Sequence, residues 1–149
     1  MDDALQVLHV DNHVLAVVKP AGMPCVPDSS GDESLFERAR AWIEHRYQKP
    51  GRAFLGVVHR LDRPVSGVVV FGRTSKGAAR LSAAFAEQRA SKLYWAVAEP
   101  ADEEKSGELR QHLWKDHGRN QVKVVSSERP GAKLAHTHWR ELELSLIHI

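Results

Sequence analysis

The residues best suited to do chemistry lie in the stretch 57–72, which reads VVHRLDRPVSGVVVFG. It places one carboxylate, Asp62, between two arginines, Arg60 and Arg63, in a polar segment enclosed by two apolar runs. The two positive charges favour an ionised carboxylate. An anionic aspartate on a loop held by a rigid scaffold is a candidate nucleophile. The residues alone leave a second interpretation open, in which Asp62 pairs with an arginine and caps a turn.

Apolar periodicity predicts the elements that hold this loop. Residues 5–9 and 14–18 are short apolar runs separated by three polar residues, which predicts a β-hairpin. Apolar residues then recur at helical spacing over 33–47, so an amphipathic helix is expected there, with Asp32 as its N-cap.

The second half of the chain adds one helix and several strands to this pattern. The helix follows the 57–72 stretch and is capped by Thr74 or Ser75. The segment 92–98 alternates apolar residues on both faces, which predicts a central strand. Further strands are expected at 122–125 and 134–144, joined by a turn at 128–131. The predicted fold class is α+β, with a mixed, mostly antiparallel β-sheet flanked by helices.

Composition is compatible with a single soluble domain. The chain has 149 residues, 42% of them apolar, and no apolar run of membrane-spanning length. Its start lacks the pattern of a secretory signal, and the single Cys25 fits a reducing cytoplasm. The formal charge is only +2, so a nucleic-acid surface has to be a local patch. We therefore expect a cytoplasmic monomer that does not bind membranes.

Histidines raise the alternative of a metal-dependent hydrolase. His136 and His138 share one face of a predicted strand, and His112 and His117 are further candidate ligands. No recognised metal-ligand spacing accompanies them, and alternating polar residues usually form the solvated face of a strand. The glycines form no phosphate-binding loop either. We expect neither a metal nor a cofactor.

Three motifs resemble the RluA family of RNA pseudouridine synthases. The run from His59 to Gly67, HRLDRPVSG, resembles the family's H-R-L-D-x-x-T-S-G motif, with Val65 at the usual threonine. Lys19 to Pro24 resembles its K-P-x-G motif, and Lys92 to Tyr94 resembles its K-x-Y motif. The three motifs follow each other in the family's order and spacing. The resemblance implies the pseudouridine synthase catalytic fold and structured RNA, rRNA or tRNA, as the partner.

The resemblance also implies a role for each matching residue. Asp62 would be the catalytic residue for the conversion of uridine to pseudouridine, attacking either the sugar or the base. Arg60 would fill the space that the flipped uridine leaves and touch phosphate, and Tyr94 would pack on the uracil face. The residues expected to support them are Lys19, Pro20, His59, Arg63, Ser66, Gly67 and Lys92.

One family motif has no match in this chain. The resemblance implies a T-G-R-x-H-Q-I-R segment whose arginine pairs with the catalytic aspartate, and nothing here corresponds to it. We therefore expect residues 1–144 to be an incomplete catalytic domain and 145–149 to be a non-native tail. A fragment that binds RNA without converting uridine is the alternative.

Overall fold

The computed structural model describes residues 5–98, 105–116, 118–119 and 121–142. It divides into two compact units, Met1–Leu93 and Tyr94–Ile149. The elements in chain order are β1 (Val7–Val10), β2 (Val14–Lys19), α1 (Leu35–Arg46), β3 (Gly56–Val57), β4 (Gly67–Gly72), α2 (Ser75–Ala86), β5 (Ser106–Asp116), β6 (Gln121–Val125) and β7 (Lys133–Arg140). This confirms the α+β class. The strand pairings within the described residues are all antiparallel, and they form two sheets instead of one.

The first unit contains a four-stranded sheet in the order β1-β2-β4-β3. In β2, residues Leu15, Val17 and Lys19 are buried and alternate with partly exposed neighbours, as the period of two in a strand requires. Their neighbours across β4 include Val69 and Phe71, which are also fully buried. Lys19 thus occupies the third inward-facing position of a strand whose first two positions form the hydrophobic core.

Helix α1 packs its apolar stripe on this core. Leu35, Ala39 and Ile43 recur at every fourth residue and are buried. The N-cap is Ser34, whose hydroxyl accepts from the backbone N–H of Glu37 while the Glu37 side chain accepts from Ser34. The expectation that Asp32 caps this helix was wrong, because the reciprocal capping box at Ser34 satisfies two free N–H groups at once.

Helix α2 begins directly after Thr74, one of the two residues predicted to cap it. The Thr74 hydroxyl accepts from the backbone N–H of Gly77 at 3.0 Å, which makes Thr74 the N-cap. The Thr74 hydroxyl is also 3.1 Å from Nδ1 of His13, in the turn between β1 and β2. This contact attaches the start of α2 to the predicted hairpin. No helix in the described part of the chain has the length and apolar character needed to cross a membrane.

The second unit contains a three-stranded sheet in the order β6-β5-β7. The strand predicted at 122–125 and the turn before β7 are present, and β7 ends at Arg140, earlier than expected. Residues 143–144 of that predicted strand, and the predicted tail 145–149, lie outside the described residues. The long strand β5 was missed, because its sequence is largely polar on both faces.

The central strand predicted at 92–98 is absent. These residues form no strand, and neither sheet includes them. Leu93 and Trp95, on one face of the predicted strand, are 84% and 83% exposed, and Tyr94, on the other face, is 59% exposed, so neither face is buried. An alternating apolar pattern forms a strand only where a neighbouring strand supplies hydrogen bonds, and within the described residues none does.

Candidate active site

The motif that contains Asp62 forms the loop between β3 and β4. A backbone hydrogen bond from Val65 N–H to the Asp62 carbonyl, 3.1 Å long, closes a tight turn directly after Asp62. This turn needs no side-chain hydroxyl at position 65, so Val65 is compatible with it. Gly67 ends the loop at φ +147°, a conformation that residues with a Cβ rarely adopt.

A buried lysine, Lys19, holds this loop in place through hydrogen bonds. The Lys19 side chain is fully buried, and its Nζ donates to the carbonyls of Pro20 at 3.0 Å, Met23 at 2.7 Å and Arg63 at 3.0 Å. A buried ammonium is tolerated where its three N–H groups find acceptors, which is the arrangement seen here. Burial lowers the pKa of Lys19, and the nearby charge of Arg63 adds to this effect while Cys25 and Asp62 oppose it. Lys19 therefore fixes the backbone at the residue next to Asp62.

Gly22 and Arg63 add a second connection between the same two segments. The N–H of Gly22 donates to the Arg63 carbonyl at 2.8 Å, and Nε of Arg63 donates to the Gly22 carbonyl at 2.9 Å. Gly22 has φ +84°, which favours glycine. Two acidic residues then hold the guanidinium, which is hydrogen-bonded to Asp32 and lies 3.8 Å from Asp28. Arg63 is thus engaged in holding the loop.

His59 holds the other end of the loop. Its Nε2 accepts from the backbone N–H of Val70 at 2.9 Å, and its ring lies against Phe85 with centroids 4.6 Å apart. Strand β3 ends at Val57, which pairs with Phe71 of β4. The next residue of β4, Val70, donates its backbone N–H to the His59 imidazole instead of to a strand carbonyl. Burial lowers the pKa of His59, and the positive charge of Lys92 lowers it further. The neutral form with its proton on Nδ1 is the one that accepts this hydrogen bond.

Asp62 itself faces solvent on this fixed loop. Its side chain is exposed, and within the described residues its carboxylate has no hydrogen-bond or ion-pair partner. Arg60 and Lys92 are also exposed, and their charged ends have no carboxylate partner in the described part of the chain. Ser66 is exposed at the end of the loop. The described part of the chain thus presents a free carboxylate on the loop and two positive charges without a carboxylate partner.

The positions of the remaining predicted site residues, Pro20 and Tyr94, say less about their roles. Pro20 is exposed and contributes its carbonyl to Lys19, which agrees with a supporting position. Tyr94 begins the second unit, outside any strand, and is 59% exposed. Its stacking role stays a prediction.

The partners of the supporting residues are not apparent from the sequence. The acceptors at Met23 and Arg63 are backbone carbonyls, which every residue has, so the residue types do not identify them. Asp32 was predicted to be the N-cap of α1, but it pairs with Arg63 instead.

Comparison with known proteins defines the class of this fold and site. The family model for RNA pseudouridylate synthases matches residues 13–145. The chain belongs to this family.

Its relatives carry related descriptions. An uncharacterized RNA pseudouridine synthase of Zymomonas mobilis is 32% identical over 93% of this chain and 61% of its own length. The ribosomal large subunit pseudouridine synthase D of the same bacterium is 30% identical over 93% of this chain and 44% of its own length. Among solved structures, the human RNA pseudouridylate synthase domain containing 4 has a TM-score of 0.68 at 22% identity, over 89% of this chain and 52% of that chain. The chain therefore spans about half the length of the relatives it matches.

Proposed function

We propose that this chain carries the catalytic loop of an enzyme that isomerises uridine to pseudouridine in structured RNA, with Asp62 as the nucleophile. The observation that supports this best is the unpartnered, solvent-facing carboxylate of Asp62 on a loop that Lys19, Arg63 and His59 hold in place. A carboxylate that other residues do not engage is available to a substrate, and a fixed loop reduces the entropy lost when it reacts.

The reaction breaks the bond between the sugar and N1 of uracil, turns the base and joins C5 to the same sugar carbon. The anionic oxygen of Asp62 can stabilise or trap the electron-poor sugar carbon, as the nucleophile of a retaining glycosidase does. Attack on the base is the second route, and both use the same carboxylate. When C5 bonds to the sugar it loses its hydrogen as a proton, and N1 gains one, so the isomerisation is balanced without a cofactor.

Arg60 and Tyr94 supply the other two roles in this proposal. A uridine has to leave its stack to reach Asp62, at a cost of a few kcal/mol. The exposed guanidinium of Arg60, two residues before Asp62, can occupy the vacated position or bind the phosphate next to it. The exposed ring of Tyr94 is available for stacking on the flipped base.

Ribosomal or transfer RNA is the proposed substrate. Several relatives are described as ribosomal large subunit pseudouridine synthase D, which favours rRNA among the two. A cytoplasmic location and a monomeric state stay predictions.

The test is conversion of unmodified rRNA and tRNA transcripts from the source organism by the wild-type protein and by Asp62→Asn. Pseudouridine is detected by carbodiimide labelling and primer extension. We expect Asp62→Asn to remove conversion while RNA binding is kept, because the amide preserves the size of the side chain and loses only the nucleophile. Glu128→Gln, at an exposed carboxylate of the second unit, is the matched control and should convert RNA normally.

The assay is run with this chain and with the chain extended by any coding sequence that follows it in the gene. Conversion by Asp62→Asn within tenfold of the wild-type rate would remove Asp62 from the catalytic role. RNA binding without conversion by either form would favour the alternative of an RNA-binding fragment.

A further inference from the structure

Three side chains that can bind a metal ion converge on one face of the second sheet. Glu108 lies on β5, and His136 and His138 lie two residues apart on β7, so both imidazoles project from the same side of that strand. The register pairs Glu108 directly with His138 and places His136 opposite Arg110. Strand pairing therefore brings together a carboxylate and two imidazoles from separate parts of the chain.

The distances within this cluster agree with those of a metal site. Oε2 of Glu108 lies 3.1 Å from Nε2 of His136, and Oε1 lies 3.3 Å from Nδ1 of His138. One potential ligand atom from each of the three residues lies within 4.8 Å of the other two. In a tetrahedral zinc site with bonds of about 2.0 to 2.2 Å, neighbouring ligand atoms are about 3.3 to 3.6 Å apart. The two distances between Glu108 and the histidines are close to that spacing.

We propose that Glu108, His136 and His138 bind one divalent transition-metal ion, with Zn²⁺ as the reference ion. Two imidazoles and one carboxylate are a donor set that zinc accepts, and three protein ligands leave a position for water. The ion connects β5 to β7, an edge strand of the sheet as described. This site lies in the second unit, whereas Asp62 belongs to the first.

One neighbour competes with the ion. Nε of Arg110 is 3.5 Å from Oε2 of Glu108, but both side chains are at least half exposed. An exposed ion pair of this kind contributes little, so a metal that binds three donors displaces it. The sequence pattern indicated the two histidines without Glu108, because it did not predict β5. His117, another candidate ligand from the sequence, lies outside the described residues.

The test is titration of the full chain, free of any purification tag, with Zn²⁺ by calorimetry and with Co²⁺ by visible absorption. The wild-type protein should bind one ion, and Co²⁺ should give the intense visible bands of a tetrahedral site. His136→Asn, His138→Asn and Glu108→Gln should each weaken binding by at least about tenfold, since even the loss of a partner outside the ligand shell commonly costs that much.

His9→Asn is the matched control. His9 forms an exposed pair with Asp11 at 3.2 Å but has no third donor, so its replacement should leave the affinity unchanged. All substituted positions are on the surface of strands or turns, and circular dichroism confirms that each variant is folded. Absence of Zn²⁺ binding by the wild-type chain, or equal binding by the His136→Asn, His138→Asn double variant, would overturn the proposal.

Discussion

Replacement of Lys19 by methionine tests whether the buried ammonium holds the loop. Methionine keeps a straight stem of similar length and removes the three hydrogen bonds from Nζ. The Arg63 carbonyl still accepts from Gly22, whereas the carbonyls of Pro20 and Met23 lose the donor they have here. The variant therefore leaves two carbonyls without a partner.

The expected loss of stability follows from these two carbonyls. A polar group left without its partner costs about 1 to 3 kcal/mol, which gives about 2 to 6 kcal/mol for the pair. Pro20 is exposed, so water replaces its donor, and the variant no longer buries a charge. Both effects reduce the loss to that of about one carbonyl, about 1 to 3 kcal/mol. For a unit of this size the midpoint of thermal unfolding should fall by about 4 to 24 °C.

The assay is thermal and urea unfolding followed by circular dichroism. Lys76→Met is the matched control, because Lys76 is exposed on α2, and it should change stability by less than about 0.5 kcal/mol. If Lys19→Met unfolds at the same temperature as the control, the three hydrogen bonds do not hold the loop and the reasoning about the site is refuted.

Three further predictions concern other residues of the same unit and the RNA site. Because the pKa of His59 is lowered from 6.5 on folding, the unfolded state binds more protons just below pH 6.5, so stability should fall as the pH drops through 6.5 towards the lowered pKa. His59→Asn should show a smaller fall when urea unfolding is compared at pH 5.0 and 7.5, and an equal fall would contradict the lowered pKa of the buried His59. Arg60→Ala and Tyr94→Ala should each slow conversion of a stem-loop uridine by an amount equal to about 1 to 3 kcal/mol, with a smaller effect on total RNA binding, whereas wild-type rates in both would show that neither residue acts on the uridine. Ser34→Ala should destabilise the first unit by about 1 kcal/mol in urea unfolding, and no change would mean that the capping box does not stabilise α1.

The local elements of the first unit could be predicted because each one follows from its own residues. The stripe of α1 is visible in the spacing of Leu35, Ala39 and Ile43, and the loop around Asp62 stands out between two apolar runs. The N-cap of α1 was also within reach of the sequence, because Glu37 follows Ser34 by three residues, and that spacing distinguishes Ser34 from Asp32.

The long-range partners could not be predicted in the same way. The segment 92–98 has the pattern of a strand, but a pattern does not specify a neighbour, and within the described residues none is present. Strand β5 has polar residues on both faces, so its periodicity carries little information. The role of Lys19 depends on three carbonyls whose positions are set by loop conformation, so the sequence alone supports the interpretation as the end of a strand nearly as well.

The contact between Lys19 and the Arg63 carbonyl, 44 positions apart in the chain, also determines where the protein can accept a change in length. Additional residues after Pro50, in the exposed part of the connection between α1 and β3 at 47–52, would lengthen a loop at a small entropic cost and leave both ends of the contact in place. One residue added between Lys19 and Met23 would shift the carbonyls away from the ammonium. We expect the segment between the Lys19–Pro24 motif and the His59–Gly67 motif to tolerate insertions. Each of the two motifs should itself keep a fixed length.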